Sequence, residues 1–169
     1  MEANFNINIR DNFFDKNTFT ELYDKIPYLQ YQPDQNMIDG IPHIWFSATV
    51  DPQLAVSIKE RCEKTFNKKL TLRFCSYTML ATVEPTVHCD HTDKTSHQVI
   101  IYIRGNTDLH KGTGFYIKSG DGLELNTHVG FVENRAVFWD SKAYHSPLNF
   151  TAEDKTKRFS IIAQYKETT

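Results

Sequence analysis

Five histidine and aspartate side chains that can bind a metal ion lie between residues 88 and 97: His88, Asp90, His91, Asp93 and His97. Imidazole nitrogens and carboxylate oxygens are common ligands of transition metals. Side chains two residues apart in an extended strand point to the same side, so His88 and Asp90 could hold one ion together. His91 and Asp93 have the same spacing and form an alternative pair that would face the other side of a continuous strand. We favour the first pair, which leaves eight residues for a connection before Val99.

A third ligand is available downstream, in NRAVFWDSKAYHS at 134–146, where an apolar strand ends in a polar loop carrying His145. Two histidines and one carboxylate on one face of an octahedral ion leave the other face open, an arrangement typical of non-haem Fe(II) oxygenases. A structural zinc site would instead close four positions with Cys and His. Cys89 lies between His88 and Asp90, so in an extended strand it points away from them. The pattern therefore favours an open iron site.

A positive charge follows at a defined position. Arg158 comes thirteen residues after His145 and opens the apolar segment RFSIIAQY. The guanidinium group forms a rigid fork that suits a carboxylate, and it keeps its charge when partly buried. Ser160, two residues further on, faces the same way in a strand and adds a hydroxyl donor. This order of residues predicts that Arg158 anchors a dicarboxylate.

The elements that must position these residues are mostly strands. From residue 70 onward, short runs rich in β-branched and aromatic residues follow one another, separated by turns such as SGDG, with no helical pattern between them. Strands in such a series indicate an antiparallel sandwich or barrel, of which jelly rolls and cupin-like barrels are prominent forms. We predict a mainly β fold with N-terminal helices, in which residues 70–169 form the barrel core.

Residues 1–69 are predicted to be mostly helical support for that core, within a single domain of residues 1–169. Asp15 and Asp51 are suitable N-caps for two amphipathic helices. Between these helices, the segment 28–46 is rich in aromatic and amide side chains. It is either a substrate-facing loop or a surface loop pinned by its aromatic residues.

Composition restricts the class of protein further. The chain has 19 Lys and Arg against 21 Asp and Glu, a net charge of −2, which argues against duplex nucleic acid bound mainly through its phosphates. Its three cysteines have no repeating spacing, which indicates reduced thiols. No apolar run approaches the ~20 residues that cross a bilayer, and no signal-peptide pattern opens the chain. We expect a cytoplasmic protein without membrane contact.

Taken together, these segments resemble the 2-oxoglutarate- and Fe(II)-dependent oxygenases, in particular the short prolyl-hydroxylase-like members of phages and bacteria. The matching segments, which cover the chain from about residue 70, are PTVHCD, VIIYI, GTGFY, NRAVFWDSKAYHS and KRFSIIAQY. The resemblance implies a double-stranded β-helix with the metal at one mouth of the barrel. It assigns the iron-ligand roles to His88, Asp90 and His145, and the family-like PTV before His88 supports that pair.

The resemblance also implies the other participants: Fe(II), 2-oxoglutarate as co-substrate, oxygen, and ascorbate as reductant in vitro. Arg158 would bind the distal carboxylate of 2-oxoglutarate, with Ser160 assisting. Tyr102, on the strand after the H-x-D pair, and Tyr77, on the strand before it, occupy positions where such enzymes often place a co-substrate tyrosine. A tyrosine buried in a strand can equally be a core residue whose hydroxyl is satisfied.

The implied activity is oxidative decarboxylation of 2-oxoglutarate to succinate, coupled to hydroxylation of a substrate such as a peptidyl side chain of the prolyl type. Alternative substrates are a free amino acid, a small metabolite, or a flipped or single-stranded nucleobase stacked on Trp45, Tyr31 or Phe46. A non-catalytic metal-binding barrel is a different class of function, as is a structural protein whose three ligand residues lie apart. The remaining histidines, His43, His97, His110 and His128, are expected to be polar loop or strand-end residues.

Overall fold

The computed structural model describes residues 6–34, 37–38, 41–42, 45–80, 87–90, 93–149 and 157–168. The helices are α1 (Lys16–Lys25) and α2 (Pro52–Phe66), and a 3-10 turn, Ile26–Tyr28, follows α1. The strands are β1 (Ile7–Arg10), β2 (Gln32–Asp34), β3 (Met37–Ile38), β4 (Ile41–Pro42), β5 (Trp45–Thr49), β6 (Leu70–Leu80), β7 (Ser96–Arg104), β8 (Gly112–Ser119), β9 (Gly122–Gly130), β10 (Arg135–Asp140), β11 (Tyr144–Leu148) and β12 (Arg158–Glu167).

Two antiparallel sheets dominate the fold. The main sheet has seven strands in the order β1-β10-β7-β12-β6-β5-β2, and the second sheet has three in the order β11-β8-β9. Strands β3 and β4 form a separate pair. The mainly β fold with helices in its N-terminal part is confirmed. Within the described residues neither sheet closes on itself, so closure into a barrel stays a prediction. No helix of the described chain is long and apolar enough to cross a membrane.

Both helices begin at the predicted caps. The Asp15 carboxylate accepts a hydrogen bond from Thr18 N, and the Asp51 carboxylate accepts from Gln53 N and Leu54 N. Asn67 caps the C-terminus of helix α2 with a φ of 52°, a left-handed conformation that asparagine tolerates. The apolar side of each helix packs on the main sheet, against the residues that the strands direct to that face.

The described part of segment 28–46 contains strands where the sequence predicted a loop. In the described part of this segment, β2 pairs with β5, and β5 pairs with β6 so that Phe46 faces Met79 and Ala48 faces Tyr77. Phe46 and Ala48 alternate with Ser47 and Thr49, which is the period of a strand with one apolar face. The segment thus extends the main sheet by two strands.

The main sheet has an apolar cluster on each face. One cluster, the helix-side core, packs alternate residues of β7 (Val99, Ile101, Ile103) against α1 and α2. The other, the inter-sheet core, packs Ile100 and Tyr102 of the same strand against side chains of the three-stranded sheet. Successive residues of each central strand therefore belong to different environments, which decides which side chains can reach the space between the sheets.

Candidate metal centre

The three predicted ligands come together beside β11, an edge strand of the three-stranded sheet. His88 forms an isolated antiparallel bridge with His145: His88 N donates to His145 O at 3.0 Å, and His145 N donates to His88 O at 2.8 Å. One ligand atom from each of His88, Asp90 and His145 lies within 4.8 Å of the others. His145 Nε2 is 3.4 Å from Asp90 Oδ2, and His88 Nε2 is 3.9 Å from Asp90 Oδ1.

Backbone contacts fix the segments that carry the ligands. A turn at the end of β10, closed by Ala143 N donating to Asp140 O at 2.9 Å, leads into β11 and His145. The Ser141 carbonyl in that turn accepts from Asp90 N at 3.2 Å. Two ligand-bearing segments distant in sequence are thus tied directly to each other.

A carbonyl group determines the tautomer of His145. Its Nδ1 lies 2.9 Å from Ala143 O. A carbonyl can only accept, so Nδ1 carries the hydrogen and Nε2 presents its lone pair toward Asp90. Such a partner on the second nitrogen is typical of metal-binding histidines. Burial lowers the pKa of His145, against an opposing effect of the Asp90 charge, and this favours the neutral imidazole that a metal requires.

The carboxylate of Asp90 fits a cation as well. Its Oδ2 atom is buried and has no hydrogen-bond partner within the described residues. Leaving a buried carboxylate oxygen unpaired is costly, and a divalent ion between the three side chains would satisfy it. Two imidazoles and one carboxylate are the donor set of an open non-haem iron site, rather than of a closed zinc site.

The alternative pair is tested only in part, because His91 lies outside the described residues. Asp93 accepts hydrogen bonds from Thr95 and from the Ser96 hydroxyl, and it lies 3.6 Å from an Arg73 nitrogen. The Ser96 and Thr95 hydrogen bonds lower the pKa of Asp93 to about 2. Asp93 therefore stabilises the turn that enters β7, and its carboxylate is not part of the group formed by His88, Asp90 and His145.

Arg158, Tyr102 and Ser160 lie together on the inter-sheet side, and all three are almost fully buried. Arg158 Nη1 donates to Gly112 O at 3.2 Å, and the guanidinium carbon is 5.9 Å from the centroid of the Tyr102 ring. Tyr102 and Ser160 are direct partners across β7 and β12. The Arg158 charge contributes to lowering the pKa of His145, so the two residues share one electrostatic environment.

Tyr77 lies elsewhere. It pairs with Ile161 in the helix-side core, and the Lys25 ammonium is 5.5 Å from the centroid of its ring. The structure does not bring it together with Tyr102, which lies on the other face of the sheet. On β6, Thr78 is the residue that pairs with Ser160 and shares the face of Tyr102. The sequence alone did not identify the register that places Thr78 there.

Sequence reasoning missed other residues on the inter-sheet face. Thr113 Oγ1 is 2.6 Å from the Tyr102 hydroxyl, and the Trp139 ring centroid is 5.0 Å from that of His145. Gln164 Nε2 donates to Gln98 Oε1 at 3.1 Å on the same face. The strand period of GTGFY, with Phe115 buried, was the available signal for Thr113.

Tyr31 and Phe46, two of the aromatic residues considered for stacking on a nucleobase, lie away from the three metal-ligand residues. Tyr31 and Phe46 pack against the helix-side core, and the Tyr31 hydroxyl donates to Ile26 O at 2.9 Å. The side chain of Trp45 lies outside what the structure describes, as does His43. His97, expected to be a plain strand-end residue, is buried between two carboxylates, those of Asp140 and Glu167.

No protein-family model and no curated protein matches the sequence. Solved structures do match. A prolyl-4-hydroxylase from Pseudomonas putida is 13% identical, with a TM-score of 0.69 over 98% of this chain and 95% of that one. A 2OG-Fe(II) oxygenase family oxidoreductase from Burkholderia pseudomallei is 12% identical, with a TM-score of 0.67 over 99% and 87%. HygX from Streptomyces hygroscopicus, solved with nickel, 2-oxoglutarate and hygromycin B, is 10% identical, with a TM-score of 0.66 over 96% and 83%.

At these identities the matches establish a shared fold. The resemblance inferred from the sequence is confirmed at that level, since the matched structures include 2-oxoglutarate- and Fe(II)-dependent oxygenases and a prolyl hydroxylase among them.

Proposed function

We propose that this chain is a 2-oxoglutarate- and Fe(II)-dependent dioxygenase, which couples oxidative decarboxylation of 2-oxoglutarate to succinate with hydroxylation of a second substrate. The observation that carries the proposal is that His88, Asp90 and His145 form one group of possible metal ligands. The buried cation Arg158 lies on the same inter-sheet side. A metal-binding protein without turnover would have no need of that second, anion-binding feature.

The three ligand residues would hold Fe(II) and leave its other coordination positions open. When bound, the iron supplies the redox chemistry with oxygen and the oxo acid. The chain contributes the orientation: Ala143 O keeps the His145 ring in the metal-binding tautomer, and Ser141 O positions the backbone of Asp90. Trp139 and Phe115 pack around His145 and exclude water from that side of the site.

Arg158 would bind the distal carboxylate of 2-oxoglutarate. Burial lowers the pKa of Arg158 to about 10, and the phenol of Tyr102 opposes this effect. A buried guanidinium gains stability from an anion that approaches it in a bidentate manner. Tyr102 and Ser160 adjoin Arg158 and supply hydroxyl groups for the same carboxylate. We further propose that the two sheets form the double-stranded β-helix typical of these enzymes.

For the second substrate we favour a peptidyl side chain of the prolyl type. The similarity to a prolyl-4-hydroxylase over nearly the full length of both chains supports this class. The Gln98 and Gln164 amides, on the inter-sheet face next to Trp139, add groups that suit a peptide backbone. A small polar molecule is the second candidate, since HygX was solved with an antibiotic and 2-oxoglutarate bound.

The test measures succinate from purified protein supplied with Fe(II), ascorbate and 2-oxoglutarate. We expect slow succinate formation without a second substrate, and none from Asp90→Asn. The matched control is Asp93→Asn, which changes a nearby carboxylate that stabilises a turn, and it should retain turnover. If the wild-type protein neither forms succinate nor binds 2-oxoglutarate, the proposal is wrong. If succinate is formed, a screen of peptides and small molecules for a mass gain of one oxygen would identify the second substrate.

A further inference from the structure

A hydroxyl pair links the two sheets beside Arg158. Tyr102 belongs to β7 of the main sheet and Thr113 to β8 of the three-stranded sheet, and their oxygen atoms are 2.6 Å apart. Both residues are buried, with Tyr102 0% and Thr113 3% exposed. The pair thus crosses the space between the sheets at the level where Arg158 Nη1 donates to Gly112 O, next to Thr113 in the chain.

The backbone next to Thr113 is closely packed. A Cβ atom added at Gly112 would lie 2.0 Å from Val129 O, so β8 and β9 approach too closely there for any side chain. Thr113 follows Gly112 and pairs with Val129 of β9, which places its backbone in the three-stranded sheet. From that sheet its hydroxyl meets the Tyr102 hydroxyl of the main sheet.

The hydroxyl groups around Tyr102 have more protons than they have hydrogen-bond acceptors among the described residues. Tyr102 and Thr113 each carry one O–H, and their mutual hydrogen bond uses only one of the two. Ser160, the cross-strand partner of Tyr102, has a buried Oγ with no hydrogen-bond partner among the described residues. Two hydroxyl protons thus have no acceptor within the described chain, and the adjacent side chain is a cation. An anionic acceptor would satisfy both.

We infer that Thr113 is a positioning residue for the distal carboxylate of the oxo-acid co-substrate, acting through Tyr102. The inference rests on the proposed function. With a carboxylate at Arg158, the favoured order is Thr113 O–H donating to the Tyr102 oxygen and Tyr102 O–H donating to the carboxylate. Hydrogen bonds in such a chain polarise one another, so the first strengthens the second. Thr113 therefore favours oxo acids that carry a second carboxylate.

The experiment compares two ligands that differ only at that end. 2-Oxoglutarate and 2-oxopentanoate both chelate the metal through the oxo-acid group, but 2-oxopentanoate has a methyl group where 2-oxoglutarate has the distal carboxylate. Their affinities for the anaerobic Fe(II) protein are measured from the charge-transfer absorption band. We expect Thr113→Val to weaken 2-oxoglutarate about 10-fold and to leave 2-oxopentanoate unchanged. Thr113→Ser, which keeps the hydroxyl, should bind 2-oxoglutarate within about 2-fold of wild type.

A double mutant separates positioning from packing. In a Tyr102→Phe background, Thr113→Val should cause little further loss of 2-oxoglutarate affinity, because its effect passes through the missing phenol. If Thr113→Val weakens both ligands equally, or neither, the inference is overturned while the proposed function stands. If the wild-type protein binds neither ligand, the proposed function itself fails. Should Thr113→Val not fold, Thr113→Ala serves in the same comparison.

Discussion

The two faces of the main sheet are built from the same strands but have different compositions. On the helix side, β7, β10 and β12 contribute side chains such as Ile101, Phe138 and Ile161 to a continuous apolar core. On the inter-sheet side, the same strands carry Tyr102 and Ser160, and buried polar groups are frequent. The inter-sheet side also has an apolar cluster, but Tyr102, Ser160 and the buried Arg158 guanidinium lie together beside it. The two faces thus share their strands and differ in where buried polar groups are collected.

The largest expected effect comes from removing a ligand on the inter-sheet side. His145→Ala should weaken Fe(II) or Mn(II) binding by more than about 100-fold, because one donor of three is lost and Asp90 keeps an unpaired buried oxygen. The variant should remain folded. Metal titration by calorimetry is the measurement, and His110→Ala, an exposed loop histidine, is the control that should bind like wild type. Unchanged affinity in His145→Ala would place the metal elsewhere.

A substitution on the helix side should lower the stability of the protein and leave its metal affinity unchanged. Ile101→Ala removes a fully buried side chain from the helix-side core and should lower the free energy of unfolding by about 3 kcal/mol. Metal affinity of the folded fraction should be retained, because the face next to the ligands is untouched. Urea unfolding and metal titration on one preparation test both statements. Loss of the metal site at unchanged stability would show that the two faces are not independent.

Two arginines on opposite faces of the main sheet should differ in their effect on 2-oxoglutarate binding. Arg158→Met should raise the dissociation constant for 2-oxoglutarate about 100-fold, since the carboxylate loses a buried charged partner. Arg104→Met is the matched control: that guanidinium lies 4.6 Å from the centroid of the Tyr23 ring and donates to Tyr23 O, on the side of α1. It should affect stability and leave 2-oxoglutarate binding unchanged. Equal losses in the two variants would contradict the assignment of Arg158.

The sequence predicted the parts of this arrangement that depend on local patterns. The spacing of His88 and Asp90 and the caps at Asp15 and Asp51 are local, and the structure places these residues as expected. The apolar strand before His145 is also present as β10, but His145 lies in strand β11 and not in the predicted polar loop. The strands in 28–46 were not predicted. The alternation of Phe46 and Ala48 with Ser47 and Thr49 was an available signal for β5, but its pairing with the distant β6 is not visible in the sequence.

The same limit explains Tyr77 and Thr113. A shift of one residue moves every side chain of a strand to the other face, and the register of β6 against β12 is set by the whole sheet. Tyr77 and Thr78 were therefore indistinguishable in the sequence. Thr113 gains its significance only from the approach of β8 to β7 across the space between the sheets, at the Tyr102 hydroxyl.

A smaller effect is the pH dependence of the contribution that His97, on the helix side, makes to stability. His97 stacks on Phe66 at 4.7 Å between ring centroids, and its two nitrogens lie 3.2 Å from an Asp140 oxygen and 2.9 Å from a Glu167 oxygen. Burial opposes the charged form, but hydrogen bonds to Asp140 and Glu167 outweigh it and raise the pKa of His97. Its contribution to stability is therefore complete below the unfolded-state pKa of about 6.5 and is lost as pH rises through the folded pKa.

We expect the stability difference between wild type and His97→Gln to be largest below about pH 6.5 and to shrink at higher pH. Urea unfolding at a series of pH values measures it. Wild type and His97→Gln both contain His145, whose pKa is lowered, so its contribution to stability is common to both proteins. The difference between their free energies of unfolding therefore reports on His97. A difference that grows with pH would show that His97 is neutral in the folded protein.

The smallest expected effect compares the tyrosines of the two faces. Tyr102→Phe should weaken 2-oxoglutarate about 10-fold, since its hydroxyl lies in the group of donors beside Arg158. Tyr77→Phe should leave that affinity within about 2-fold of wild type, because the Tyr77 hydroxyl is on the helix side, where it is buried without a hydrogen-bond partner among the described residues. Removing an unpaired buried hydroxyl should, if anything, stabilise the protein. Equal losses of affinity in the two variants would mean that the register of β6 differs from the one described and that the two faces of this strand are exchanged.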